Sequence, residues 1–330
     1  MDRIFQIGDF RFRISYPEEV GPPDNFMKFE CGDCGGADNR RKDCDGADNG
    51  QGDCGSVEYV YNIEVADSLP VPEGKVIARR PDLVVFQNKT NQSGTDQCET
   101  DQNEKGQTGT GGGQGLESRL IGVKGNPNFY ACYRETSADS AEITLAGDRI
   151  RELNIDPMFT SLLALERRFV KRDQMILHCA YVEYQGEAIL FSAPSETGKT
   201  TQANLWEKYR GSRTVNGDRS LLGKVSGRWT AQGWPVCGTS EVCNNESVPI
   251  GAVVMLSQEP ENRAERLTPG HAFPLLYSQI TVNKWNMQDH LHTIDLIEEF
   301  LGSVPVLHLG CTISEEAVRC LEKALQNLDA

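Results

Sequence analysis

The chain has 330 residues, enough for two ordinary domains or one large one with insertions. Its formal net charge is −15, from 33 basic and 48 acidic residues, and no long basic stripe offsets it, which argues against nucleic acid or an anionic membrane as partner. The opening MDRIFQIGDFRF lacks an apolar signal-peptide core and no apolar run approaches the roughly 18 residues of a membrane helix, so a cytoplasmic protein is expected, with most of its 11 cysteines free.

Residues 1–157 read as a β-rich N-terminal domain. The stretches FQIGDFRFRISY, VEYVYNIEVA, KVIARRPDLVVF, RLIGVKG, NFYACYRE and AEITLA carry β-branched and aromatic residues in rough alternation, punctuated by Gly, Pro and Asn-Pro. Two segments, at about 31–55 and 88–117, lack the apolar residues that would offset the entropy of ordering them and read as disordered inserts. The first repeats itself every ten residues through Asp33-Cys34, Asp43-Cys44 and Asp53-Cys54. Its Cys31-x-x-Cys34 start, with Cys44 and Cys54, has the residue type of a zinc site, but the spacing merely follows the repeat and no apolar framework surrounds it. A helix is expected from Asp156-Pro157, with Met158, Leu162, Leu163, Leu165 and Phe169 at helical spacing, and an amphipathic helix closes the chain over residues 314–328.

The chemistry concentrates in residues 158–330, read as an α/β nucleotide-binding domain. Ala188 to Phe191 is a short apolar run, hence a buried strand. It is followed by Ala193-Pro-Ser-Glu-Thr-Gly198-Lys199-Thr200 and then by TTQANLWEKY, a helix ending near Gly211. Strand, Gly-Lys-Thr loop and helix are the context of a phosphate-binding loop, although Ala193 stands where the motif has its first glycine. The loop Ser195, Glu196, Thr197 and Gly198, with Lys199, Thr200 and Thr201 at the helix start, would cradle the phosphates of ATP or another nucleoside triphosphate. Lys199 would reach the β/γ-phosphates and the Thr200 hydroxyl would ligate Mg2+.

Two further residues gather round this loop. Residues 175–183 are strand-like and Gln185-Gly186 signals a hairpin turn, a register that sets His178 opposite Ala193. Beyond the helix, Thr214-Val215 is a short strand and Asp218 lies just past it, placed to hold magnesium or to accept a proton from a hydroxyl nucleophile. Arg219 could pair with phosphate or with Asp218. Cys237, Cys243, Asn244 and Asn245 lie in a polar loop that could cover the phosphates or simply connect strands.

The order Leu177-His178, hairpin, Ser195, Gly198-Lys199-Thr200-Thr201, Asp218 resembles the HPr kinase/phosphorylase superfamily, which is related to phosphoenolpyruvate carboxykinase, and in particular the HPr-kinase-like proteins encoded with peptide-modification systems. The resemblance covers residues 158–330 and is weak before them. It implies an α/β (α+β) architecture, in which the β-rich domain precedes an HPr-kinase/PEP-carboxykinase-like P-loop domain, and phosphoryl transfer to a hydroxyl, typically serine, of a peptide, protein or small molecule. Lys199, Asp218 as base and His178 as its helper would be the catalytic residues, with Thr200 and Asp218 on the metal. Related kinases are commonly oligomers, which allows a homo-oligomer. Two departures stand out: Glu196 replaces a usual glycine and Gly217 replaces one of two consecutive acids. They leave open a non-catalytic nucleotide-binding accessory protein, alongside a carboxykinase-type enzyme acting on a small organic acid.

Overall fold

A computed structural model describes residues 1–32, 56–88 and 115–328. It is a mixed α/β structure organised by two large sheets. Strands β1 (Asp2–Ile7), β2 (Phe10–Ser15), β3 (Glu30–Cys31), β4 (Tyr59–Ala66), β5 (Lys75–Arg80), β6 (Leu83–Gln87), β7 (Glu117–Gly122), β8 (Phe129–Glu135) and β9 (Ser140–Ala146) form the first, in the order β3-β1-β2-β4-β9-β8-β7-β6-β5. The alternation seen in the sequence sets its inner face, where Phe10, Phe12, Ile14, Tyr59, Tyr61 and Ile63 are buried. Two stretches that read as single strands fold back as hairpins, one at Gly8-Asp9 and one at Pro81-Asp82, where turn residues interrupt them.

The expected inserts are narrower at their edges. Cys31 pairs with Ile4, and Glu117 opens β7 fully buried, its carboxylate bound by Arg119 and Arg167. An acid at the end of a polar run gives no sequence sign of such burial. Residues 33–55 and 89–114, with the repeat and its Cys34, Cys44 and Cys54, lie outside the described residues. Those described include no group of three or more His, Cys, Asp or Glu able to hold a metal, and no helix long and apolar enough to cross a membrane.

The helix expected over 156–169 is two. After α1 (Asp24–Met27), α2 (Asp156–Ser161) and α3 (Leu165–Val170) are parted by Ala164 at φ +46°, a left-handed conformation costing about 1–2 kcal/mol for a non-glycine residue. The break lets Phe159 and Phe169 both enter the first core, which also receives Ile176, Leu221 and Trp234 from the chain beyond, so packing is continuous across residue 157. It also turns Arg167 and Arg168 inward. Arg167 donates to Glu117 Oε2 at 2.9 Å and to both oxygens of Glu135, at 2.9 and 3.0 Å, and Arg168 donates to Glu135 and the Tyr133 hydroxyl. Burial alone would raise the Glu135 carboxyl, but these two guanidiniums hold it below the usual carboxylate range.

The second sheet follows. Its strands are β10 (Met175–Tyr184), β11 (Glu187–Ser192), β12 (Arg213–Asn216), β13 (Arg219–Val225), β14 (Arg228–Gln232), β15 (Ser247–Gln258), β16 (Arg263–Arg266) and β17 (Val306–Cys311). Pairings β10-β13-β14-β15-β11-β10 close a circuit, and β11, β15 and β17 run parallel. Helices α4 (Lys199–Arg210), α5 (Pro269–Gln279), α6 (Met287–Leu301) and α7 (Glu315–Gln326) complete the chain. Trp206 of α4 and Leu321 of α7 pack with Phe191 and Val254, whereas Leu276 of α5 and Phe300 of α6 pack with Leu190 and Val253. Covering both faces explains why β11 is an unbroken apolar run rather than an alternating one.

Replacing Glu135 by Ala leaves two buried guanidiniums without their shared partner. Urea unfolding should show a loss of about 3–5 kcal/mol; a loss under about 1 kcal/mol would show that the cluster relaxes or hydrates freely.

Candidate functional site

The β10–β11 hairpin has the expected register, from Tyr184 opposite Glu187 to Cys179 opposite Ser192. Gln185 and Gly186 at the turn both have positive φ, as a two-residue hairpin of this type requires. His178 is the next residue along, and the Ser192 hydroxyl donates to its carbonyl at 2.8 Å, so the histidine is fixed at the mouth of the loop that leaves β11.

That loop delivers the chain to α4 through Gly198, whose φ of +115° is one that L side chains rarely adopt. No side chain caps α4, and among the described residues the N–H groups of residues 198–201 donate to no acceptor. They form an open set of donors at the positive end of a helix dipole. The Thr200 and Thr201 hydroxyls carry no hydrogen bond within the described residues. Lys199 is buried, and its ammonium donates to the loop's own carbonyls, Ala193 at 3.0 Å and Pro194 at 3.2 Å. Burial lowers its pKa, Arg219 adds to that, and Asp218 and Cys179 oppose it.

Glu196 is exposed and takes a φ of +67°. That is a left-handed backbone conformation that glycine adopts most readily. Gln258, at the end of β15, braces the loop from outside, its amide donating to the carbonyls of Glu196 and Thr197 at 3.3 Å each. Ser195 is also exposed.

Asp218 sits at the break between β12 and β13, which lie end to end along the same strand, β10. Its Oδ1 is 3.8 Å from His178 Nε2 and its Oδ2 3.1 Å from Arg219 Nε. Arg219 thus pairs with the aspartate. Three main-chain contacts hold the break. The Asp218 N–H and the Arg219 N–H both donate to Asn216 Oδ1, at 2.9 and 3.1 Å, and the Asp218 carbonyl accepts from the Cys179 N–H at 3.0 Å. Asn216 is wholly buried and donates its own amide to the Trp234 carbonyl at 2.8 Å. On the other side, Gln279 at the end of α5 stands 3.3 Å from His178 Nδ1. Burial, then the Lys199 and Arg219 cations, lower the imidazole pKa against the opposing pull of Asp218 and Gln279, so the ring is neutral at pH 7.

The segment after Trp234 packs directly on this break. The Gly217 N–H donates to the Val242 carbonyl at 3.2 Å, and Asn244 donates to Val215. A Cβ on Gly217 would lie 1.7 Å from Ser240 Oγ, and one on Gly238 3.0 Å from Asp218 Oδ1. A second acid at 217 is therefore excluded by the chain that covers the site. Cys237 and Cys243 are buried in the first core, so two of the four loop residues singled out in sequence serve packing, and the exposed Asn245 donates its amide to the Lys28 carbonyl at 3.5 Å. Asn216, Ser240, Gln258 and Gln279 are the contributors that sequence reasoning missed. Only Asn216 had a local signal, an Asn-Gly-Asp turn.

Gly217→Ala should lower stability by about 1–3 kcal/mol through overpacking. Adding Ser240→Gly should restore part of it, because both close atoms belong to Ser240. Additive losses in urea unfolding of the single and double variants would contradict this account of Gly217.

The family model described as SynChlorMet cassette protein ScmC matches residues 144–316, just over half of the chain. No curated protein matches. Among solved structures, the HPr(Ser) kinase/phosphatase from Coxiella burnetii aligns with 47% of this chain and 95% of its own, at 11% identity and a TM-score of 0.28. On the extent of the family match, the chain belongs to the family of the SynChlorMet cassette protein ScmC.

Proposed function

We propose that this protein is an ATP-dependent kinase that transfers a phosphoryl group to a hydroxyl, serine above all, of a peptide, protein or small molecule. One observation carries the reading: a carboxylate with a histidine beside it, Asp218 and His178, meets an uncapped Gly-Lys-Thr helix start. The same motif order underlies the resemblance to HPr-kinase-like enzymes.

The donor set suits a triphosphate. The free N–H groups of residues 198–201 match phosphate oxygens, and Lys199, held only by two neutral carbonyls, has an anion to gain. Thr200 and Asp218 offer hard oxygens, too few to hold a metal unaided, which suits Mg2+ shared with phosphates. When bound there, Mg2+ would neutralise charge on the transferring group.

The chain's own residues then handle the proton. With His178 Nδ1–H donating to Gln279 Oε1, Nε2 keeps its lone pair and faces Asp218 Oδ1 at 3.8 Å, two acceptors with no proton between them. An acceptor hydroxyl placed at Asp218 gives its proton to the carboxylate, its oxygen bonds the γ-phosphorus, and the bond to the β-phosphate oxygen breaks to leave ADP. Lys199 stabilises charge on the transferring group. Arg219 holds the other carboxylate oxygen and so orients the base.

A second reading, nucleotide binding without transfer, is favoured by Glu196 in the loop and by the single carboxylate that Gly217 leaves. The two separate in one assay, with labelled ATP, magnesium and hydroxyl-bearing peptides. Asp218→Asn should lower transfer by about 10²–10⁴-fold while nucleotide titration in the absence of magnesium is unchanged, and Lys199→Ala should abolish both. Full transfer by Asp218→Asn would overturn the base assignment; nucleotide binding with no transfer by the unaltered chain would favour the second reading.

A further inference from the structure

At the opposite end of β11 from the Gly-Lys-Thr loop, the second sheet opens into a cavity of about 610 Å³. That lies within the roughly 300–1,000 Å³ of small-molecule sites. Its walls are the β10–β11 turn, the β13–β14 turn, the start of β15, the chain entering β17 and the end of α7. Buried Trp229, Ile250 and Val304 line it, and half-buried Pro305, Leu325 and Leu328 add open apolar surface.

Five charged side chains line the same space, and four of them are matched. Arg228 pairs with Glu187, and Lys224 with Glu299. Glu322 accepts from Arg210 Nε and Nη2 at 2.7 Å each. Glu187 is also laid against Gly251, where a Cβ would come 2.6 Å from its Oε2, which keeps it at the wall. The fifth, Arg266, is exposed on the edge strand β16 and forms no ion pair or side-chain hydrogen bond within the described residues. Its neighbour Glu265 is taken by Arg263 at 2.7 Å. In a chain of net charge −15, this is an unmatched guanidinium at the rim of an apolar recess. Its fork of donors fits a carboxylate, and a single unmatched cation balances one negative charge rather than two.

We propose that this cavity binds a small monocarboxylate with an aromatic or aliphatic body. The body lies against Pro305, Leu325 and Leu328, and the carboxylate meets Arg266. The site stands apart from the nucleotide loop, and the assignment does not depend on the kinase reading.

The test titrates the full chain with 8-anilinonaphthalene-1-sulfonate, an aromatic monoanion that fluoresces when its rings leave water. Octanoate, octanol and ATP then serve as competitors. The chain should show one saturable site that octanoate empties and that octanol and ATP, at the same concentration, do not. Arg266→Glu should weaken the probe and octanoate by about tenfold or more. Arg263→Glu, exposed on the same strand but outside the cavity, should leave both unchanged, and thermal melting should show both variants folded. No saturable binding, equal binding by Arg266→Glu and the unaltered chain, or equal loss in both variants overturns the site. Displacement by ATP would put the probe in the nucleotide loop instead, and displacement by octanol as readily as by octanoate would remove the carboxylate; either result also overturns the proposal.

Discussion

The buried carboxamide of Asn216 is the constraint on which the site depends. A strand running beside β10 would carry its residues past the loop in ordinary pleated register. Asn216 interrupts it by accepting two consecutive N–H groups and anchoring itself to the Trp234 carbonyl. The chain breaks into β12 and β13, and at the break Asp218 is turned toward His178. Gly217 follows from the same event, because the segment carrying Ser240 closes over the break and leaves no room for a side chain. The bare Gly217 and the well-held Asp218 thus have a single cause.

The loop and the Asp218–His178 pair come from separate parts of one sheet, and their alignment rests on strand register. A slip of one residue in β10–β11 would send His178 to the other face. The buried Arg–Glu cluster acts at larger scale, tying α3 to β7 and β8 of the first sheet. Such clusters add little net stability compared with apolar packing but tolerate few alternative arrangements.

Much of this was legible in the sequence, for local reasons. The hairpin turn fixed a register that arithmetic on Gln185-Gly186 recovers, and Gly-Lys-Thr after a buried strand marked the loop. Asp218 announced itself by position. What escaped notice depends on distant chain. Gln279 reaches His178 from a helix end 101 residues away, Gln258 braces the loop from 61 residues away, and Arg167 and Glu117 read as a helix surface and an insert end until they meet. The helix break at Ala164 was equally hidden, since its residues keep helical spacing while the backbone does not.

A crystal structure of the full chain with Mg2+ and a non-hydrolysable ATP analogue tests the central claim most directly. Phosphates on the N–H groups of residues 198–201, Lys199 moved from the Ala193 and Pro194 carbonyls onto phosphate, and the Asp218 carboxylate facing the γ-phosphate are the predicted result. A nucleotide bound elsewhere, or Lys199 still on its two carbonyls with phosphate in the loop, would contradict the account.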